Sequence, residues 1–224
     1  MKRSEINAII KDGEAYFARM GWRLPVWATW GVDEWKGRRE DAAEIFQAQM
    51  GWDITDFGSG DYRRRGLFLF TLRNGVADSA GKPYAEKIML VDAGQETPTH
   101  FHHAKMEDII NRGGADLVLQ LWKSDENESL SSEAFDVSVD GIRRHVEAGG
   151  FIRLGPGESI CLEQGVYHRF FGEGGRVLVG EVSKVNDDNS DNRFLENIGR
   201  FPAIVEDEGP WRLLVSDYRR FFGA

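Results

Sequence analysis

Between Phe68 and Lys184 the chain is a succession of short apolar runs cut by Gly, Asn, Asp and Pro, with no helical stretch of crossover length between them. Parallel neighbours need a connection of a dozen or more residues, so these runs have to pair antiparallel. That pattern predicts a mainly β fold, an antiparallel sandwich or barrel. Strands are expected near 67–73, 86–92, 99–103, 108–111, 115–123, 134–140, 150–154, 158–162, 166–171 and 175–184.

The flanks read differently. Ser4 followed by Ile6, Ile9, Ile10, Phe17 and Met20 predicts an N-capped amphipathic helix that Gly21 ends. Ala42, Ile45, Phe46 and Met50 repeat the pattern over 39–50, while Pro25 and the Trp-rich stretch from Trp27 to Trp35 predict a packed, irregular connection. Beyond the strands the chain turns polar at NDDNSDNRF, 186–194, and closes with Phe201, Ile204, Trp211, Leu213, Leu214, Tyr218 and Phe221. The chain has 224 residues, 41% of them hydrophobic, and no internal repeat, so one domain is expected. Its parts are a helical extension over about 1–60, a barrel core over about 66–185 and a C-terminal return over about 186–224.

Lys and Arg number 28 against 37 Asp and Glu, and a net charge of -9 argues against nonspecific binding to nucleic acid or an anionic membrane surface. A single cysteine, Cys161, excludes an intrachain disulfide; between Ile160 and Leu162 it reads as a small buried hydrophobe. The first residues lack the apolar core of a signal peptide, and no run approaches a membrane span. A soluble cytoplasmic protein acting on a small molecule is the expectation.

The chemistry concentrates in Gly94-Gln-Glu-Thr-Pro-Thr-His100-Phe-His102-His103-Ala-Lys105-Met-Glu107. Residues two apart on a strand share a face, so His100 and His102 present their imidazoles together. Glu107 opens the next expected strand, and Gly113-Gly114 reads as the turn of a hairpin that folds its carboxylate back beside them. Later, Gly157 to His168 gives a strand, a glycine turn at Gly165 and a histidine on the following strand. If the barrel closes, His168 completes a set of three histidines and one glutamate, suited to Mn, Fe, Co, Ni or Zn rather than Ca or Mg. His103 has no such support and reads as an outer neighbour or solvent-facing; His145, in Arg-Arg-His, reads as a surface residue.

The pattern Gly-x5-His-x-His-x4-Glu-x6-Gly from Gly94 to Gly114 resembles the first cupin block, and Gly157 to His168 echoes the second. Glu163 stands where that block often has Pro, and Gly172 where it often has Asn. The helical N-terminus, GEVSKVNDDNSDNRF over 180–194 and GRFPAIVEDE over 199–208 are similar to the D-lyxose isomerases, a cupin family of sugar ketol-isomerases. The resemblance covers nearly the whole chain. It implies a cupin-type barrel, a Mn2+ cofactor with Co2+, Zn2+ or Fe2+ as substitutes, and interconversion of D-lyxose with D-xylulose, D-mannose and D-fructose being a second pair.

Such a reaction moves hydrogen between C2 and C1, with a metal ion stabilising charge on the enediolate oxygens. A carboxylate that ligates the ion is a poor proton acceptor, so a separate base is needed. Sequence proximity nominates Lys105 and a carboxylate of the 206–208 run, Glu206 first, with Asp191 and Arg193 holding sugar hydroxyls. The acidic run of Asp187, Asp188 and Asp191 would otherwise be a solvated loop. The seven tryptophans read as core or barrel wall, with one or two available to stack on a sugar. A hydride shift is the rival mechanism. A cupin dioxygenase using Fe(II), a non-catalytic sugar-binding cupin and a phosphosugar isomerase relying on Arg63, Arg64 and Arg65 are the rival functions. Exposed sheet edges make a homodimer the expected assembly.

Overall fold

The computed structural model describes residues 1–77 and 79–223. Its strands are β1 (Gly51–Thr55), β2 (Leu67–Arg73), β3 (Tyr84–Val91), β4 (His100–His102), β5 (Glu107–Lys123), β6 (Phe135–Val139), β7 (Ile142–Val146), β8 (Gly150–Leu154), β9 (Ser159–Leu162), β10 (Val166–Lys184) and β11 (Asn192–Phe194). The helices are α1 (Arg3–Arg19), α2 (Val32–Trp35), α3 (Ala43–Gln47) and α4 (Tyr218–Phe222). Strand order is β1-β2-β3-β10-β5-β9-β6-β7, with β8 against β5, β4 against β10 and β11 against β4, all antiparallel.

The long strands β5 and β10 pair with each other along most of their length. β5 also takes β9 along its first half and β8 along its second, while β10 takes β4 near its start and β3 near its end. Each therefore serves two parts of a sheet that curls around one interior. Leu69, Met89, Val91, Ile109, Leu117, Leu119, Val177 and Val179 fill it. The alternate residues Phe68, Phe70, Ile88, Leu90 and Leu178 face outward, yet are buried under Ile6, Ile10 and Phe17 of α1. Burial on both faces explains the nearly continuous apolar runs of β2 and β3. Each fully buried Phe contributes about 1.5–3 kcal/mol. A third cluster around Trp35, Leu213 and Tyr218 packs the Trp-rich connection against the C-terminal return.

Several expectations change. Gly113-Gly114 is not a hairpin turn: β5 runs straight through it, with φ of +138° and +98° and register shifts against β10 on either side. A Cβ on Gly114 would lie 2.3 Å from the Arg176 carbonyl oxygen, so the close approach of β10 requires glycine here. The two strands expected at 166–171 and 175–184 are likewise one, β10. β1, β7 and β11 were not legible; β1 lies inside the segment read as helical, and of the helix expected over 39–50 only α3 forms.

Ser4 is not the N-cap of α1. Lys2 is, and Asp207 accepts from the Ser4 backbone N–H at 2.9 Å and from its hydroxyl at 2.7 Å. The C-terminal return thus caps the first helix. Alongside, fully buried Arg3 donates to both oxygens of Glu206 (2.8 and 2.9 Å) and both of Asp217 (2.7 and 2.9 Å), tying the two ends together.

Candidate active site

His100 and His102 share one face of β4, while Phe101 turns away against Tyr167. β10 pairs antiparallel with β4 so that His168 lies directly opposite His100. Ring nitrogens of the three histidines fall within 4.8 Å of one another, a group able to hold a metal ion. His100 Nδ1 lies 2.8 Å from the Pro98 carbonyl and His168 Nδ1 lies 3.0 Å from the Val166 carbonyl. A carbonyl can only accept, so both Nδ1 atoms carry a proton, which leaves Nε2 of each ring as the nitrogen able to ligate.

Glu107 arrives not by a hairpin but by the sharp connection from β4 into β5. Asp191 holds that connection, accepting from the backbone N–H of Ala104 at 2.7 Å and of Lys105 at 3.1 Å. Glu107 Oε1 then lies 3.2 Å from His168 Nε2, and Oε2 lies 3.5 Å from His102 Nε2. In a neutral His168 imidazole, the first contact would set two lone pairs facing each other in a buried site. Among the described residues His168 Nε2 has no hydrogen-bond partner. A cation between them removes the repulsion and supplies the missing partner, so this donor set fits a metal ion.

Burial, followed by the neighbouring imidazoles, pushes His100 well below the usual histidine value. Burial and Lys105 lower His102, so both rings are neutral and ready to ligate. Burial alone would raise Glu107, but the Lys105 ammonium overrides it and holds the carboxyl well below its usual range.

A second set of charges lies beside this one. Lys105 Nζ sits 2.7 Å from Glu107 Oε2 and 2.9 Å from Glu181 Oε1, and Lys87 Nζ is 3.2 Å from the same Glu181 oxygen. Lys87 on β3 is paired directly opposite Glu181 on β10. Burial opposes ionisation of Glu181 and Lys105, but the opposite charges win: Lys105 and Lys87 lower Glu181, and Glu107 with Glu181 raises Lys105. The cavity is lined by these residues and by Phe57, Asp188, Asn192, Phe194 and Arg200, largely from the segment after β10.

The family model described as D-lyxose isomerase matches residues 1–218. This chain belongs to the D-lyxose isomerase family. Two relatives carry the name D-lyxose/D-mannose isomerase. The protein of Serratia proteamaculans is 48% identical over 99% of both chains, and that of Escherichia coli O157:H7 is 47% identical over 99% of this chain and 100% of its own. Family membership makes the chain an isomerase, and the dioxygenase and pure binding readings give way. Among solved structures, Acinetobacter sp. DL28 L-ribose isomerase in complex with L-ribose matches at a TM-score of 0.62 and 14% identity, covering 92% of this chain and 98% of that one. Cellulomonas parahominis L-ribose isomerase with L-ribose matches at 0.60 and 14%, with the same coverage. At that identity these establish the shared cupin fold alone.

Set in the D-lyxose isomerase family, the residues expected from sequence divide. His100, His102, Glu107, His168 and Lys105 come together. Glu206 does not: it is held by Arg3 and Arg220 at the clasp between the chain ends and does not line the cavity. The carboxylate of Asp191 is committed to backbone N–H groups, and Arg193 turns to Glu128 at 2.8 Å and to the Phe194 carbonyl, so neither lines the cavity. Its aromatic walls are phenylalanines, with none of the tryptophans among its lining residues. Arg65 pairs with Glu196 at 2.9 Å, and Arg63, Arg64 and Arg65 also stand outside the lining. Missed were Lys87, Glu181 and Arg200. A signal existed for two of them, since Lys87 alternates with Met89 and Glu181 with Val179, each placing a charge on the inner face of its strand.

Proposed function

We propose that the chain interconverts D-lyxose and D-xylulose, with D-mannose and D-fructose as a second pair, using one divalent ion, Mn2+ in preference to Co2+, Zn2+ or Fe2+. Two relatives of nearly half identity over the full chain, both named D-lyxose/D-mannose isomerase, support the substrates. His100, His102, Glu107 and His168 would hold the ion, which when bound supplies a Lewis acid for the sugar carbonyl and its neighbouring hydroxyl. The cytoplasm suits an acidic chain with one thiol. A homodimer suits a sheet whose order ends on β7, beside exposed Ile142 and Phe151.

The observation that carries the mechanism is an ionised carboxylate beside the ligand set but outside it. Glu181, rather than Glu206, is the proposed base. It takes the proton from C2 of the open-chain aldose and returns it to C1 of the enediol, while a hydroxyl proton passes from O2 to O1. Lys105 is assigned a positioning role: clamped between Glu107 and Glu181, it remains a cation and keeps Glu181 ionised and aimed. The lowered proton affinity of Glu181 makes it a weak base, so acidification of the substrate has to provide the rest of the driving force.

The test is D-lyxose turnover in deuterated water by the wild type and Glu181→Gln. Solvent deuterium at C1 of xylulose in the wild type, with about a 10²–10⁴-fold loss in the variant at unchanged metal content, is expected. A fully active Glu181→Gln variant would refute the assignment, and transfer without deuterium at any extent of reaction would favour the hydride shift.

A further inference from the structure

Among the described residues, Arg200 lines the cavity and keeps a buried nitrogen without a hydrogen-bond partner. Its Nη2 donates to Asp53 Oδ2 at 2.6 Å and approaches Asp188 Oδ2 at 3.3 Å, so two carboxylates from different parts of the chain fix the guanidinium. Its side chain is nine-tenths buried. Its Nη1 is buried and has no acceptor among the described residues. A buried guanidinium N–H without an acceptor is costly, and in a cavity wall it marks a place built for a ligand atom.

The position of Arg200 says which part of the ligand. The metal-type donors come from β4, β5 and β10, whereas Asp188 and Arg200 come from the segment that follows β10 and lines the same cavity. A wall of rings joins the two regions: Arg200 lies 6.0 Å from the Phe57 ring, Phe57 is 5.9 Å from Phe194, and Phe194 is 5.4 Å from His100. A carbonyl end seated among the histidines would direct the far carbons of the sugar along this wall. A hydroxyl both donates and accepts, and here a fixed donor and an ionised acceptor stand together.

We propose that Arg200 and Asp188 form the subsite for the tail of the sugar, with Arg200 Nη1 donating to, and Asp188 accepting from, the C4 or C5 hydroxyl. This rests on the aldose–ketose reading above and adds a determinant of which sugar is accepted. Sites that hydrogen-bond a hydroxyl discriminate strongly against analogues lacking it.

The experiment compares wild type and Arg200→Lys on D-lyxose, 4-deoxy-D-lyxose and 5-deoxy-D-lyxose. Lysine keeps a cation beside Asp53 and Asp188 but loses Nη1. On D-lyxose the variant is expected to lose about tenfold to a hundredfold in kcat/KM, mostly through KM. That loss is expected to shrink below about threefold on the deoxy sugar that lacks the bound hydroxyl. An equal loss on all three sugars, or none, would overturn the proposal. Calorimetric titration of D-arabinitol, the reduced form of D-lyxose, gives a readout independent of turnover and is expected to bind the variant about tenfold or more weaker. Equal affinity would again overturn it, even if the wild type isomerised no aldose and the functional reading itself failed. Should Arg200→Lys not fold, the wild type alone decides: it is expected to bind one of the alditols obtained by reducing 4-deoxy- and 5-deoxy-D-lyxose at least about tenfold more weakly than D-arabinitol, and equal binding of all three refutes the subsite.

Discussion

Two imidazoles with their Nδ1 protons committed to the carbonyls of Pro98 and Val166, and a carboxylate held ionised by Lys105, define the chemistry at the scale of single residues. This scale makes two predictions. His168→Ala is expected to lose metal affinity and turnover together, because it removes one of the three clustered histidines able to hold an ion; metal content after dialysis checks it. Glu206→Gln is expected to turn over D-lyxose within about threefold of wild type, since changes away from a site seldom disturb it; a loss of the size expected for Glu181→Gln would reinstate Glu206 as the base. The clustering of His100, His102 and Glu107 was legible because strand alternation and the Gly-x5-His-x-His-x4-Glu spacing state their geometry locally. Glu206 was misplaced because nothing local says where a C-terminal return comes to rest. Glu181 and Lys87 share a face with Val179 and Met89, a signal that identifies them only once that face is known to look inward, and β3 and β10 are apolar on both faces.

Among the elements, β5 and β10 do the positioning, and both were read as broken where they are continuous. Glycines punctuate turns and bulges alike, and only the partner strand distinguishes them. Gly114→Ala is expected to destabilise the protein by about 1–3 kcal/mol, since the new methyl meets the Arg176 carbonyl at a φ of +98°; urea denaturation measures it. The clasp between α1 and the C-terminal return offers another test. Arg3→Ala leaves Asp217 buried without its cation, and a loss of about 3–5 kcal/mol is expected. The pH dependence follows from Glu206, which its hydrogen bond to Arg3 holds below the usual glutamate value. A depressed folded-state value means the unfolded chain binds the proton first. This contribution is therefore fully present above about pH 4.5 and is lost as the pH falls through the lower folded value. Thermal melts between pH 6 and 3 are expected to fall less steeply in Glu206→Gln than in the wild type.

For the whole molecule, curling one antiparallel sheet around an interior brings together residues as distant in sequence as Asp53, Glu107, Glu181 and Arg200. The antiparallel class was legible in the spacing of the apolar runs, whereas the double burial of β2 and β3 depends on α1 and could not be read from either strand alone. No helix among the described residues is long and apolar enough to cross a membrane. A metal ion that binds only the folded state stabilises it by mass action, about 2.7 kcal/mol at a hundredfold excess over its Kd. The decisive measurement is D-lyxose turnover by protein stripped of metal and then resupplied with Mn2+, with xylulose followed by a ketose assay. Loss of activity on stripping and its return with Mn2+ is the predicted result; undiminished turnover by the stripped protein, or metal demonstrably bound with no turnover of D-lyxose or D-mannose, would contradict it.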